Sequence, residues 1–230
     1  MAAPTRFPSG VTNAAPGSAL AQYGLPDPSS WHTYFDDFDT YTAADWVVTE
    51  VGVATQALTD ADGGVLLITN AAADDDSSFS QKVGESFLLT AGKRAVFKAR
   101  FKVNLATESD FVIGLQITDT TPLDVTDGVY FRKDDGDALL DVVCRKDTTT
   151  GSTSATGIAT VVADTYLVVA WYYDGKGELK YFVNDVQLGT LTATSAFLPD
   201  TELTVSYGVQ NGTTSATIMS VDYLMAAIER

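Results

Sequence analysis

The chain is expected to fold as an all-β protein, a two-sheet antiparallel jelly-roll sandwich with an extended N-terminal arm, and three observations predict it. Apolar residues recur at every second position in run after run, the period of a half-buried strand. No segment carries apolar residues at i, i+3, i+4 and i+7 over the three turns an amphipathic helix needs, and β-branched and aromatic residues dominate the runs. Residues 1–28 are built mainly from Ala, Pro, Gly, Ser and Thr, a composition that sustains no helix and buries too little apolar surface to fold alone.

Taken in order, residues 1–30 form the arm and residues 31–230 the sandwich. Phe7, Pro8, Val11, Leu20, Tyr23, Leu25 and Trp31 are the apolar positions of the arm and its junction, and they are the candidate partner-binding residues. The aromatic opening Tyr34-Phe35-Asp36-Asp37-Phe38 is expected to pair with the closing run 218–227, which brings the two ends of the body together. The clearest strand is Ala95–Val103, where Phe97, Ala99, Phe101 and Val103 alternate with Lys98, Arg100 and Lys102. Phe111, Ile113, Leu115 and Ile117 repeat the pattern after the polar turn 107–110, and the two runs are expected to form an antiparallel pair.

Further strands are predicted at 46–49, 65–69, 79–83, 128–133, 138–146, 157–162, 165–174, 178–184, 186–191, 202–210 and 215–227. The turns between them carry residues that tolerate positive φ: Gly136, Gly175 and Gly177, and the pair Asn184-Asp185. The stretch 147–156 reads as a Thr/Ser/Gly loop. A single open sheet of so many strands would leave one apolar face in water, so two packed sheets are the economical arrangement.

Composition narrows the function. With 14 Lys and Arg against 30 Asp and Glu, the net charge of −16 repels phosphate backbones and anionic lipid, so neither nucleic acid nor membrane is an expected partner. No apolar run reaches the ~18 residues of a membrane span, and the N-terminus lacks the pattern of a secretory signal, so synthesis in a cytoplasm is expected. The one cysteine, Cys144, shares a strand face with Leu140 and Val142 and is expected to be buried.

The residues that could carry chemistry read as structural. A retaining glycanase needs two carboxylates about 5 to 5.5 Å apart on one strand face, and the glutamates here are scattered singly beside turns. His32 is the one histidine, which leaves no catalytic triad or multi-histidine metal site; packing at the arm junction is its expected role. Asp60-Ala61-Asp62-Gly63-Gly64 has alternating carboxylates before glycine, but Ala71 stands where a twelve-residue calcium loop of the EF-hand kind would need Glu. That run, Asp74-Asp75-Asp76, and Asp134, Asp135 and Asp137 are read as acidic turns, so no metal, cofactor or catalytic residue is assigned. The Lys98, Arg100, Lys102 stripe is expected to pair with the body's own carboxylates. Trp171 and Tyr173 share the face opposite Tyr172, so at least one of the two faces is core.

Tyr34 to Phe38, Ala44-Asp45-Trp46, Asp62-Gly63-Gly64-Val65-Leu66 and Trp171-Tyr172-Tyr173-Asp174-Gly175 leading to Tyr181-Phe182-Val183-Asn184 resemble concanavalin A-like, laminin-G-like jelly rolls. From Arg6-Phe7-Pro8-Ser9-Gly10-Val11-Thr12-Asn13 onward, with 97–103 and 113–119, the chain resembles structural proteins of tailed-bacteriophage virions. That resemblance implies a non-enzymatic decoration or cement subunit on the outer capsid surface. It would bind the major capsid protein and neighbouring copies of itself through the arm, as a homo-oligomer with a trimer favoured. The alternative is a carbohydrate-binding, lectin-like module of a phage fibre or tail that engages host surface glycan.

Overall fold

The computed structural model describes residues 29–59, 61, 63–147 and 151–230. Their strands are β1 (Trp31–Asp36), β2 (Trp46–Val51), β3 (Ala54–Thr59), β4 (Val65–Asn70), β5 (Ser77–Lys82), β6 (Phe87–Leu88), β7 (Ala95–Val103) and β8 (Ser109–Gln116). Then follow β9 (Gly128–Lys133), β10 (Leu139–Lys146), β11 (Gly151–Thr160), β12 (Leu167–Tyr173), β13 (Glu178–Val183), β14 (Val186–Thr192), β15 (Glu202–Asn211) and β16 (Ile218–Glu229). Helix among the described residues is confined to the short 3-10 turns Ala43–Asp45 and Pro122–Asp124.

The strands form two antiparallel sheets packed face to face, the predicted jelly-roll sandwich. The first sheet runs β14-β13-β12-β7-β16-β4-β3, with β1 also on β16; the second runs β11-β10-β9-β8-β15-β5-β2, with β6 on β15. The opening and closing strands are neighbours as expected, with Trp31 opposite Glu229 and Asp36 opposite Leu224. Positive φ falls at Gly175 (77°) and Gly177 (108°), and at Asn184 (50°) and Asp185 (64°), which gives the last hairpin two left-handed turn residues.

Alternation decides what fills the space between the sheets. Phe97, Phe101, Trp171 and Tyr173 point in from the first sheet, and Phe111, Phe131 and Tyr207 point in from the second. Phe101 meets Phe111 edge to face at 5.1 Å, and Trp46 meets Tyr207 the same way at 5.0 Å. The Trp171 indole N–H donates across the sandwich to the Val129 carbonyl at 3.2 Å. Cys144 is buried in this core, and burial pushes its thiol up to about 12.

Two expectations are corrected. Strands β7 and β8 are not a pair but lie in opposite sheets: β7 is flanked on both edges by β12 and β16, and β8 by β9 and β15. Asn104 shows why, because its side chain accepts from the Ile218 N–H and donates to the Ala216 carbonyl, fixing the exit of β7 to the start of β16. With both edges of β7 taken, the chain must cross to the other layer. The supposed loop 147–156 is largely strand β11, an edge strand whose Thr and Ser residues suit a half-wet position on β10. Strands β3 and β6, which sequence patterning missed, are a short edge and a two-residue ladder.

Candidate functional site

The outer face of the second sheet is where the described residues build a groove. Two strand-centre glycines shape its floor. Gly114 on β8 lies opposite Tyr130 on β9, and Gly208 on β15 lies opposite Phe79 on β5. A Cβ on Gly114 would stand 2.5 Å from the Tyr130 Cα, and one on Gly208 would stand 2.4 Å from the Phe79 Cα, so both strands approach closer than any side chain allows. Tyr130 and Phe79 then pack with Val112, Val143 and Val125 into an apolar cluster on this outward face.

A strap formed by residues 117–127 closes over that cluster. The Ile117 N–H donates to the Asp127 carbonyl at 3.1 Å and shuts its base, an Ω-type loop. Three floor side chains hold it down. Gln81 donates to the Ile117 carbonyl (2.8 Å) and accepts from the Asp119 N–H (2.8 Å). Gln116 donates to the Pro122 carbonyl (3.0 Å), and Arg145 pairs with Asp124 at 2.7 Å. With Leu123 and Ile117 packed on the cluster, the strap divides the face.

On one side lies a groove of about 250 Å³ whose apolar floor is Phe79, Pro122 and Leu123 and whose polar rim is Thr49, Asp75, Thr121 and Gln210. The Gln210 side-chain amide donates to Asp75 at 2.9 Å, which orients both groups toward the rim. Asp75 has φ 65°, a left-handed conformation that Asp and Asn tolerate. On the other side Arg132, Asp134, Asp137 and Asp141 line a more polar groove of about 440 Å³. Arg132 pairs with Asp134 at 3.1 Å, and Asp141 accepts from the Gly157 N–H at 2.8 Å. Burial is the main cause that raises the Asp141 and Asp110 carboxyls above the ordinary range.

Carboxylates also stand on this face. Asp110 and Asp141 are its outward carboxylates on β8 and β10, with β9 between them. Two strand spacings across and two residues along separate their Cα atoms by about 12 Å.

Of the residues singled out from sequence, Phe7, Pro8, Val11, Leu20, Tyr23 and Leu25 lie outside the described residues, as do Asp60 and Asp62. Trp31 lies on the outer face of the first sheet, buried, with the Arg94 guanidinium 5.4 Å from its ring centroid. His32 packs at a tilt against Phe87, ring centroids 4.9 Å apart, and its Nε2 lies 3.2 Å from the Ser86 hydroxyl. Of the basic stripe, Lys98 pairs with Asp185 at 2.7 Å and Arg100 with Asp222, while the Lys102 ammonium lies 5.3 Å from the Tyr166 ring centroid. Trp171 and Tyr173 are core.

Asp127, Asp147 and Asp200 bring carboxylate oxygens within 4.8 Å of one another, a cluster not foreseen from sequence; Lys146 stands 2.6 Å from Asp200 and supplies positive charge there. The outer-face groove also escaped sequence reading. Its one signal was the pair of glycines, Gly114 and Gly208, inside otherwise apolar strands.

No family model matches the chain, and no curated protein matches it. Solved structures do. An endo-1,3-beta-glucanase from Streptomyces sioyaensis superposes with a TM-score of 0.62 at 15% identity, covering 89% of this chain and 98% of that one. The carbohydrate recognition domain of Emp46p does so with a TM-score of 0.54 at 11% identity, over 83% of this chain and 93% of that domain. Peanut lectin, solved with a peptide, gives a TM-score of 0.55 at 10% identity, over 86% of this chain and 97% of that one. At these identities the likeness shows the fold, a concanavalin A-like jelly roll.

Proposed function

We propose that the protein is a non-catalytic carbohydrate-binding module that takes glycan into the groove between the 117–127 strap and strands β2 and β5. The observation that carries this is the make-up of the groove: an apolar floor of Phe79, Pro122 and Leu123 beneath hydroxyl, carboxylate and amide groups of Thr49, Asp75 and Gln210. A pyranose presents one apolar face and a rim of hydroxyls, and such a groove matches both. The shared fold of a glucanase, a carbohydrate recognition domain and a lectin adds support to this reading. The virion decoration role draws on the sequence resemblance and on residues 1–28, and the groove adds nothing to it.

A polysaccharide and oligosaccharide panel tests the proposal, with binding read by calorimetry in the presence and absence of chelator. Saturable binding of at least one glycan, unaffected by chelator and without turnover, is expected. Gln210→Ala and Asp75→Asn are each expected to weaken it at least tenfold, and Asp75→Asn keeps a residue suited to positive φ. An empty panel, or binding untouched by both substitutions, overturns the assignment.

A further inference from the structure

The described residues form another pocket at one end of the sandwich, where the ends of β6, β10 and β12 meet the loop that follows β14. It holds about 480 Å³ and shares no lining residue with the groove beside the strap. A volume of that size suits a small organic ligand. Its floor is apolar: Leu89, Tyr173 and Leu198 line it and are buried, and Pro199 adds to the same surface.

Two turns meet at its rim and are joined through their glycines. The Gly92 N–H donates to the Gly175 carbonyl at 2.6 Å, and a Cβ on Gly175 would stand 3.1 Å from the Lys93 nitrogen. Both glycines have positive φ, 92° at Gly92 and 77° at Gly175, so each turn needs the residue that it has. The contact brings two lysines onto adjoining turns: Lys176 lines the pocket, and Lys93 follows directly on Ala91, which lines it, and Gly92.

Both lysines are exposed, and among the described residues neither makes an ion pair. The carboxylates of the same turns are engaged elsewhere. Asp174 Oδ1 accepts from the Lys176 and Glu178 N–H groups, Glu178 lies 3.9 Å from Lys180, and Glu229 pairs with Arg94. The third lysine at the pocket is neutralised, because Lys146 stands 2.6 Å from Asp200, whose carboxylate lies within 4.8 Å of those of Asp127 and Asp147. In a chain of net charge −16, the rim therefore carries two uncompensated ammonium groups on adjoining turns. Like charges held side by side repel, and an anion placed between them is attracted to both.

We propose that this pocket binds a small aryl carboxylate, with its apolar body on Leu89, Tyr173, Leu198 and Pro199 and its carboxylate between Lys93 and Lys176. A single negative charge answers the rim, since the Asp200 cluster repels a second one, and the apolar floor offers no partner to the hydroxyls of a sugar. The site stands apart from the glycan groove, and neither assignment depends on the other.

Calorimetric titration of the full chain with phenylpropionate and with indolepropionate tests this, their primary amides serving as uncharged counterparts. At least one acid is expected to bind saturably at one site per chain, at least tenfold more tightly than its amide, and to weaken as salt rises. Replacing Lys93→Met and Lys176→Met together keeps long apolar stems at these exposed positions and removes both charges. The pair is expected to weaken that acid at least tenfold without lowering the urea midpoint, and to leave the affinity of the amide unchanged. No saturable binding of either acid, an amide that binds as tightly as its acid, or an affinity unmoved by the two Met substitutions overturns the proposal.

Discussion

Tyr130 lies across Gly114 on the neighbouring strand, so close that a Cβ at position 114 would stand 2.5 Å from both the Cα and the Cβ of Tyr130. The absence of a side chain at Gly114 makes room for Tyr130, and Ile117 and Leu123 of the strap pack on the cluster to which it belongs. Gly114→Ala forces backbone apart, not the tip of a flexible side chain. The expected loss is about 1–3 kcal/mol, the range for overpacking, read as a lower midpoint in urea with an unchanged slope.

Trp171 fills the centre of the sandwich and donates from its indole to the Val129 carbonyl on the opposite sheet. Trp171→Ala empties that volume and removes the donor. Destabilisation of about 3–5 kcal/mol is expected by chemical denaturation.

Cys144 is predicted to be silent toward thiol reagents in the folded protein. Its sulfur is buried and its thiol is held up at about 12, so at pH 8 almost none is thiolate and little reagent reaches it. Ellman's reagent should report no thiol in native buffer and one per chain in guanidinium chloride. Prompt native labelling would contradict the buried placement.

The sign of the pH response separates two kinds of carboxylate. Glu229 is held below the ordinary range by its hydrogen bonds from Arg94, so its contribution is present at neutral pH and is lost as pH falls through its folded value. Asp141 is raised, mainly by burial, so its charged form opposes folding, and that penalty is absent in acid and grows as pH rises through its folded value. Asp141→Asn keeps an oxygen for the Gly157 N–H and removes the charge. It is expected to raise the urea midpoint slightly at pH 7 and to leave it unchanged at pH 3, whereas Glu229→Gln should lower it more at pH 7 than at pH 3.

Much of the fold was legible because period-two alternation is a local signal. Phe97, Phe101 and Trp171 announce their inward direction within a few residues of sequence, and the Asn184-Asp185 turn announces its hairpin. Sheet membership is not local. Strands β7 and β8 carry equally good inward faces, and a hairpin and a crossover between layers look alike until the partners at both edges of β7 are known. The groove was hidden for the same reason: Thr49, Asp75 with Phe79, and Gln210 come from three separate stretches that meet through β5 and β15. Gly114 and Gly208 alone left a trace, as breaks in apolar strands that mark close approach.

The first and last described strands run side by side, and the Arg230 N–H donates to the Ser30 carbonyl at 3.0 Å. The body is thus almost a closed ring of chain, with its ends joined at one corner of the first sheet. A few residues linking position 230 to position 30 would complete the ring, and a new opening at Lys176, the exposed residue of the Asp174 to Gly177 turn, would leave every strand intact. Chain joined at position 230 would leave the body from that corner, on the opposite layer from the 117–127 strap, and the groove beside the strap would stay open to solvent.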